Sequence, residues 1–417
     1  MRLFTFILLV LFTTSCKKQK PVWIDSFDEL TRLDAPKGYK RPCSDALNCI
    51  PDEWTLPKTI RVNVHFLDNP ERNHNFSLEE GRKYLTKVVK DANDRLSNNK
   101  KMKLPIGNSI PVLDPGYRYK IVGAESGDDG FYYHIEAKDF YYANKGKKQN
   151  NYKKQMIKDR VIAKDSILNM FIISHPQDSI RNSKSYFPSI TGIALGTSIK
   201  ASGIYTNREK GPWHFGTLIN HEIGHVLGLS HAWLKHDGCD DTPIHPNCWD
   251  HNSAKGSTGK DCEGQLSNNL MDYNNSQMAL TPCQLGRVHK NFNRSSSKIR
   301  SLLDKVWCQY DPSKTITISD HTEWKGDRDI AHDIHIKKGG RLDLHCRLSM
   351  AAGSRITIED GGELHVYNYA KIHNDCGERW QGIVTTSNKS VSQLLFMYGS
   401  AQIIDFGSGD NVNHNTL

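Results

Sequence analysis

His221-Glu222-Ile223-Gly224-His225-Val226-Leu227-Gly228-Leu229-Ser230-His231 is the stretch that decides how this 417-residue chain is read. On an α-helix, residues four apart stand on one face, one turn above the other. His221 and His225 therefore aim two imidazoles at one point. Glu222 is rotated about 100° from His221, too far round to be an easy third ligand but placed to hold a water beside a metal. On a continued helix His231 would lie roughly 9 Å beyond His225, at about 1.5 Å per residue, and could not reach that point. The helix has to stop. Gly228 lets it stop, because glycine enters the left-handed conformation without a Cβ penalty. The chain then turns back and delivers His231 from the other side. Three neutral imidazoles leave one tetrahedral position open, which is the catalytic zinc arrangement. Two histidines on a helix are often simply exposed; five fixed positions in eleven residues are far more specific.

This pattern resembles the long zinc motif of the metzincin peptidases. Metzincins place a methionine-containing turn beneath the metal, and Asn269-Leu270-Met271-Asp272-Tyr273 follows here. Alone, one methionine in a turn is an ordinary core residue. Between the two pieces lie Gly238-Cys239-Asp240-Asp241-Thr242-Pro243, Cys248 and Cys262, with Cys283 beyond the turn. Together these stretches resemble the pappalysin family of metzincins, closely from about Pro212 to Asn293 and more loosely back to about Lys58. The resemblance implies an α+β catalytic domain with a twisted mixed sheet, long helices and a zinc cleft. It implies a zinc endopeptidase acting on a protein or peptide, in which His221, His225 and His231 hold the metal. Glu222 is then the general base and Met271 the pedestal. Tyr273 either stabilises the tetrahedral intermediate or packs the turn. The resemblance further implies bridges Cys239 to Cys262 and Cys248 to Cys283, where the sequence by itself allows three pairings. It also implies structural calcium near the loop, for which Asp240, Asp241 and Thr242 offer suitable oxygens. The chain departs from the family at Ser276-Gln277-Met278, where Cys-Met is usual after the Met-turn.

The N-terminus reads as a sorting signal over residues 1–15. Arg2 precedes an apolar run from Leu3 to Phe12, followed by Thr13, Thr14, Ser15 and Cys16. Such a run suits a signal peptide better than a membrane span. Small residues ending in a cysteine resemble a bacterial lipoprotein cleavage site. The expectation is cleavage before Cys16, a lipid on its thiol and membrane anchoring at the periplasm or cell surface; ordinary secretion is the alternative. Export fits the cysteines. Ten less Cys16 leaves nine, so in an oxidising compartment most pair and one is left over. The net charge of +9 is modest for the length. The basic run from Lys145 to Arg160 reads as a solvated loop, since only Tyr152 interleaves it, and no nucleic-acid partner is expected.

Residues 16–57 are polar and proline-bearing, a lipidated tether or short pro-segment. Cys43 and Cys49 lie in it and have three readings: a local disulfide, long bridges into the domain, or a thiolate capping the zinc of a latent enzyme. The protease domain is expected over 58–310. Alternating Ile60, Val62, Val64 and Phe66 predict a half-buried strand. Ser77 to Glu80 forms a capping box that opens a helix reaching Leu96. Strands are expected at Tyr117 to Val122, Ile167 to Ser174, Gly192 to Gly196 and Gly203 to Tyr205. The segment Gly192 to Thr197 is the expected edge for an extended substrate. Pro212 to Leu229 holds the expected active-site helix, and Thr281 to Leu303 reads as a further helix. His236 and His245 read as surface or loop residues.

The tail, 311–417, is a different object. Ile334-His-Ile-Lys-Lys-Gly-Gly-Arg-Leu-Asp-Leu344 recurs as Ile356-Thr-Ile-Glu-Asp-Gly-Gly-Glu-Leu-His-Val366. Each copy reads as strand, Gly-Gly turn, strand, and the repeat suggests stacked coils of a parallel β-helix, with Ile316 to Ile318 and Gln402 to Ile404 as outer rungs. A sandwich is the second reading. Spacing is the favoured role, glycan or substrate binding the other. Rival functions are a catalytically silent, zinc-stabilised adhesin acting through this tail, against which the intact Glu222 argues, and a binding lipoprotein with a purely structural zinc, against which the open fourth position argues unless Cys43 fills it.

Overall fold

The computed structural model describes residues 22–24, 27, 32–138, 140–143, 149–245, 247–249, 262, 264–273, 277–386 and 391–407. The sorting signal and Cys16 lie outside the described residues, as does part of the basic run.

The first strand, β1 (Val22–Trp23), belongs to the C-terminal unit. The catalytic unit is built on β2 (Lys58–Asp68), which pairs in parallel with β3 (Tyr117–Ile121), β4 (Phe131–Ile135) and β5 (Leu168–Ile173). At the far side come β6 (Thr191–Ala194) and β7 (Ser198–Ser202), in the order β3-β2-β5-β7-β6. β6 runs antiparallel to β7 and ends the sheet. The alternation in β2 is real, but the strand is not half-buried. Ile60, Val62, Val64 and Phe66 join the main core, while Leu67 enters a second cluster with Tyr142, Met156 and Phe171. A parallel strand in the middle of a sheet is covered on both faces. The strand expected at Gly203 to Tyr205 is absent. β7 has already ended, and Gly203 turns the chain at φ +85°.

α1 (Leu78–Ser97) opens with the Ser77–Glu80 capping box and buries Leu85, Val88, Ala92 and Leu96. Two short helices follow, α2 (Gln155–Lys158) and α3 (Gln177–Asn182). α4 (Pro212–Val226) crosses α1 closely at Gly216, where a Cβ would stand 3.0 Å from the backbone nitrogen of Ala92. α5 (Pro282–Asn293) is shorter than expected. It ends where Arg294 turns extended ahead of Ser295-Ser296-Ser297, residues that compete with helical bonding through their hydroxyls. Only a 3-10 turn at Arg300–Leu302 remains of the expected continuation. No helix among the described residues is long and apolar enough to cross a membrane.

The tail is a three-faced parallel β-helix, so the sandwich reading falls away. Each coil contributes one strand to each face. The coils are β8 (Thr315–Ile318), β9 (His321–Trp324) and β10 (Arg328–Ile330); β11 (Asp333–Ile336), β12 (Arg341–Leu344) and β13 (Arg347–Met350); β14 (Arg355–Ile358), β15 (Glu363–Val366) and β16 (Lys371–His373); β17 (Gly382–Thr385), β18 (Leu395–Met397) and β19 (Gln402–Ile403). The sequence repeat becomes register: Ile334 sits beside Ile356 and Leu342 beside Leu364. Its second core is a stack of aliphatic side chains, Ile316, Ile334, Ile356 and Ile383 among them.

From residue 32 the leader is part of this architecture. Arg32 donates to the carbonyls of Gly399 and Ala401. Tyr39 stacks on His345 and Tyr367. Cys43 is bridged to Cys346, so of its three readings the long bridge holds, and it goes to the β-helix. The Cys43 thiol is therefore not a ligand for the catalytic metal. Among the described cysteines Cys49 is unpaired, and it is buried. The two units also meet at a buried carboxylate. Asp329 of β10 takes Lys58 at 2.7 Å, Arg300 at 2.8 Å and Arg347 at 2.7 Å. Cys308–Cys376 closes the same junction.

Candidate active site

α4 ends as its sequence requires. Gly228 has φ +96°, its N–H donates to the His225 carbonyl at 3.1 Å, and the Leu229 N–H reaches back to Gly224 at 3.0 Å. This pair of bonds is the Schellman motif. It does more than stop the helix, because it brings the Leu229 carbonyl to within 2.8 Å of His225 Nδ1. The chain has reversed by then, and His231 arrives opposite. His225 Nε2 lies 3.2 Å from His221 Nε2 and 3.1 Å from His231 Nε2.

The tautomers follow from the outer contacts. His221 Nδ1 meets the Leu270 carbonyl at 2.9 Å, as His225 Nδ1 meets Leu229. A carbonyl accepts only, so each Nδ1 carries the proton and each Nε2 presents a lone pair. Burial, then the neighbouring His225 ring, hold His221 down to about 3 and His231 to about 4. The rings are therefore neutral. Lone pairs converging at this spacing repel one another unless a cation lies between them. The donor set fits a zinc ion, and the carbonyls on Nδ1 are the outer partners that fix metal-binding imidazoles.

Glu222 follows His221 on the buried face of the same helix. Burial raises its carboxyl to about 8. It packs against the backbone of β6, where a Cβ on Gly192 would stand 2.6 Å from Glu222 Cγ. The Tyr142 hydroxyl donates to the Gly192 carbonyl at 3.4 Å beside it. Met271 is fully buried beneath α4. A Cβ on Gly224 would meet its sulfur at 2.6 Å, so that glycine makes room for the pedestal. Gln277, where the family pattern has a different residue, donates to the Leu270 carbonyl at 3.1 Å and holds the turn under His221.

Tyr273 is 55% exposed and stands over the site. Its ring centre is 4.9 Å from that of His231 and 5.7 Å from that of His221. Trp233 stacks on His231 at 4.3 Å, and Trp249 closes the aromatic group behind Tyr273 at 5.3 Å. Neither tryptophan, nor Tyr142, nor Gly192 as a packing partner of Glu222, is marked by a local sequence pattern.

The disulfide pairing implied by the family is overturned. The bridges are Cys239–Cys283 and Cys248–Cys262. The cause lies in Asp241. Its carboxylate accepts from Thr281 Oγ1 at 2.6 Å and from the Cys283 N–H at 2.9 Å, at the N-terminus of α5. That contact lays the loop holding Cys239 against Cys283. Each Asp241 oxygen named for calcium thus carries one protein donor. Thr242 Oγ1 is turned to Asp237 and to the Cys239 carbonyl at 2.8 Å, and Asp240 is exposed. His236 is exposed. His245 is the loop residue expected, but not a surface one: it is buried, accepts from the Cys248 N–H at 2.9 Å and meets Asp272 of the Met-turn at 3.2 Å.

A helix carrying two zinc-ready imidazoles, a third after a glycine turn, a buried glutamate and a methionine beneath defines a metallopeptidase of the metzincin kind. Residues 151–293 of the chain match the sequence model of the peptidase family described as pregnancy-associated plasma protein-A. Among solved structures it is similar to mature mirolysin from Tannerella forsythia in complex with a cleaved peptide, at 17% identity and a TM-score of 0.40, covering 60% of this chain and 96% of that one. A Tannerella forsythia promirolysin mutant is similar at 16% identity and a TM-score of 0.39, covering 61% and 85%. No curated protein matches the chain.

Proposed function

We propose that the chain is an endopeptidase that cleaves extended polypeptides outside the cytoplasm, anchored by a lipid on Cys16. The convergence of three Nε2 atoms, two of them with the tautomer fixed by a backbone carbonyl, beside a buried carboxylate is the observation that carries this reading. Zinc held by His221, His225 and His231 supplies Lewis acidity toward the scissile carbonyl and a water acidic enough to act near neutral pH. Glu222 takes the proton of the attacking water and hands it to the leaving amine. Its position against β6 suits that task, because the terminal strand of the sheet is where an extended substrate pairs its backbone. Tyr273 donates to the oxyanion as the carbonyl becomes tetrahedral. The four disulfides support an oxidising compartment and hence export.

The test is cleavage of an unfolded protein by residues 17–417, with zinc, with chelator, and as Glu222→Ala checked for retained metal. Loss in both controls, with zinc still bound to the mutant, is expected. Cleavage by Glu222→Ala at the wild-type rate would remove the base assignment. No cleavage by the zinc-loaded wild type would sink the endopeptidase reading.

A further inference from the structure

A second group of ligand-bearing side chains lies on the β-helix, on the face formed by β9, β12 and β15. In the parallel pairing of β9 with β12, Glu323 stands beside Asp343, and His345 follows at the end of the same rung. One ligand atom from each of Glu323, Asp343 and His345 lies within 4.8 Å of the others. His345 is only 7% exposed. Its Nδ1 meets the Tyr39 hydroxyl at 3.2 Å. Its Nε2 is buried with no hydrogen-bond partner and faces Glu323 Oε1 at 3.6 Å. A buried nitrogen left in that state is costly unless something occupies the space in front of it.

The surrounding contacts fix the group from outside. Lys325 holds Glu323 Oε2 at 2.6 Å, leaving Oε1 turned to His345. Arg341 holds Asp343 Oδ1 at 2.7 Å. Asp343 Oδ2 faces His321 Nε2 at 3.0 Å and also takes Arg341 Nη2 at 3.0 Å and the Tyr367 hydroxyl at 3.3 Å. Partners of this sort orient the ligands of a metal and set their basicity. Ligand atoms around a tetrahedral zinc stand roughly 3.4 Å apart, given bonds of about 2.0–2.2 Å. His345 Nε2 and Glu323 Oε1 stand 3.6 Å apart, near that spacing.

We propose that His345, Glu323 and Asp343 form a second metal site, structural in kind and suited to zinc. Imidazole mixed with carboxylate favours zinc over calcium or magnesium, which prefer oxygen alone. The bound ion would fix β9 to β12 next to the Cys43–Cys346 bridge and, through the Tyr39 contact, hold the leader on the β-helix.

Zinc itself is the probe. The chain from residue 17 onward is loaded, dialysed and assayed for metal per chain. Wild type should hold two zinc ions, Glu323→Gln one, His225→Ala one, and the double variant none. Glu323 is exposed, and Glu323→Gln keeps its shape and its contacts with Lys325 and His345 within reach, so the variant is expected to fold and to cleave substrate as wild type does. In the His225→Ala background, added zinc should raise Tm, and Glu323→Gln should abolish that rise. One ion in wild type with none in His225→Ala would overturn the proposal while leaving the peptidase site intact. Two ions retained by Glu323→Gln would also overturn it.

Discussion

The carboxyl group of Glu222 occupies the space a side chain at Gly192 would fill. A Cβ at 192 would lie 2.6 Å from Glu222 Cγ and 2.7 Å from its Cδ and Oε1. Gly192 does not have a left-handed φ, so the glycine is there for room rather than for its backbone freedom. Gly192→Ala should push the carboxylate aside without touching an imidazole. A displacement of about 1 Å can cost roughly 100-fold in rate. The expected result is kcat down by about that factor with one catalytic zinc still bound, read by steady-state kinetics and metal analysis. Unchanged kcat would mean that Glu222 acts from another position.

Tyr273 is the one aromatic of its group that is largely open to solvent, yet it sits against two zinc-site imidazoles. If its hydroxyl donates to the oxyanion, Tyr273→Phe should lower kcat by about 100-fold, the usual loss for one such donor. KM and zinc content should stay as they are. A fall in Tm with kcat intact would assign the ring to packing the Met-turn instead.

What could be read from the sequence was what is local or periodic. The zinc motif is one helix and one turn, so His221, His225, Gly228 and His231 declare their geometry by spacing alone. The β-helix was legible because its coils repeat at fixed register, Ile334 against Ile356. The rest depends on contacts between distant segments. Cys43 and Cys346 are 303 residues apart, and nothing in the leader marks it as part of the solenoid. Gly192 and Trp233 matter only through what the fold brings against them. The cysteine pairing turned on Asp241 docking at the start of α5, a contact invisible to spacing. The burial of β2 on both faces could not be read either, because alternation reports one face and is silent about what covers the other.

Gly228 is held in a conformation that an L-residue enters only at a cost of roughly 1–2 kcal/mol. A Cβ there would also meet Asn291 Nδ2 at 2.6 Å, the group that donates to the Leu227 carbonyl. Gly228→Ala should therefore loosen the turn that supplies the Leu229 carbonyl to His225 and brings in His231. Disturbing outer contacts of a metal site typically weakens binding 10–100-fold. Competition with a chelator should show that loss for zinc. Affinity equal to wild type would mean that the turn is not what positions the third histidine.

Asp329 and Lys58 form the most deeply buried ion pair at the junction of the two units, with Arg300 and Arg347 completing it. Burial opposes the charge on Asp329, but Lys58, Arg347 and Arg300 outweigh it and hold the carboxyl well below its usual range. Removing one partner of such a group leaves uncompensated buried charge and costs about 3–5 kcal/mol. Asp329→Asn should lower stability at neutral pH by that amount, measured by denaturant unfolding. The pH dependence has a definite sign. A carboxylate depressed in the folded state contributes its full stability above its unfolded pKa, about 3.9, and loses it as pH falls toward the folded value. Wild-type stability should therefore lose this contribution progressively below about pH 5, and the Asn variant should lack that component. Parallel acid limbs in the two proteins would show that Asp329 is not the group whose protonation loosens the junction.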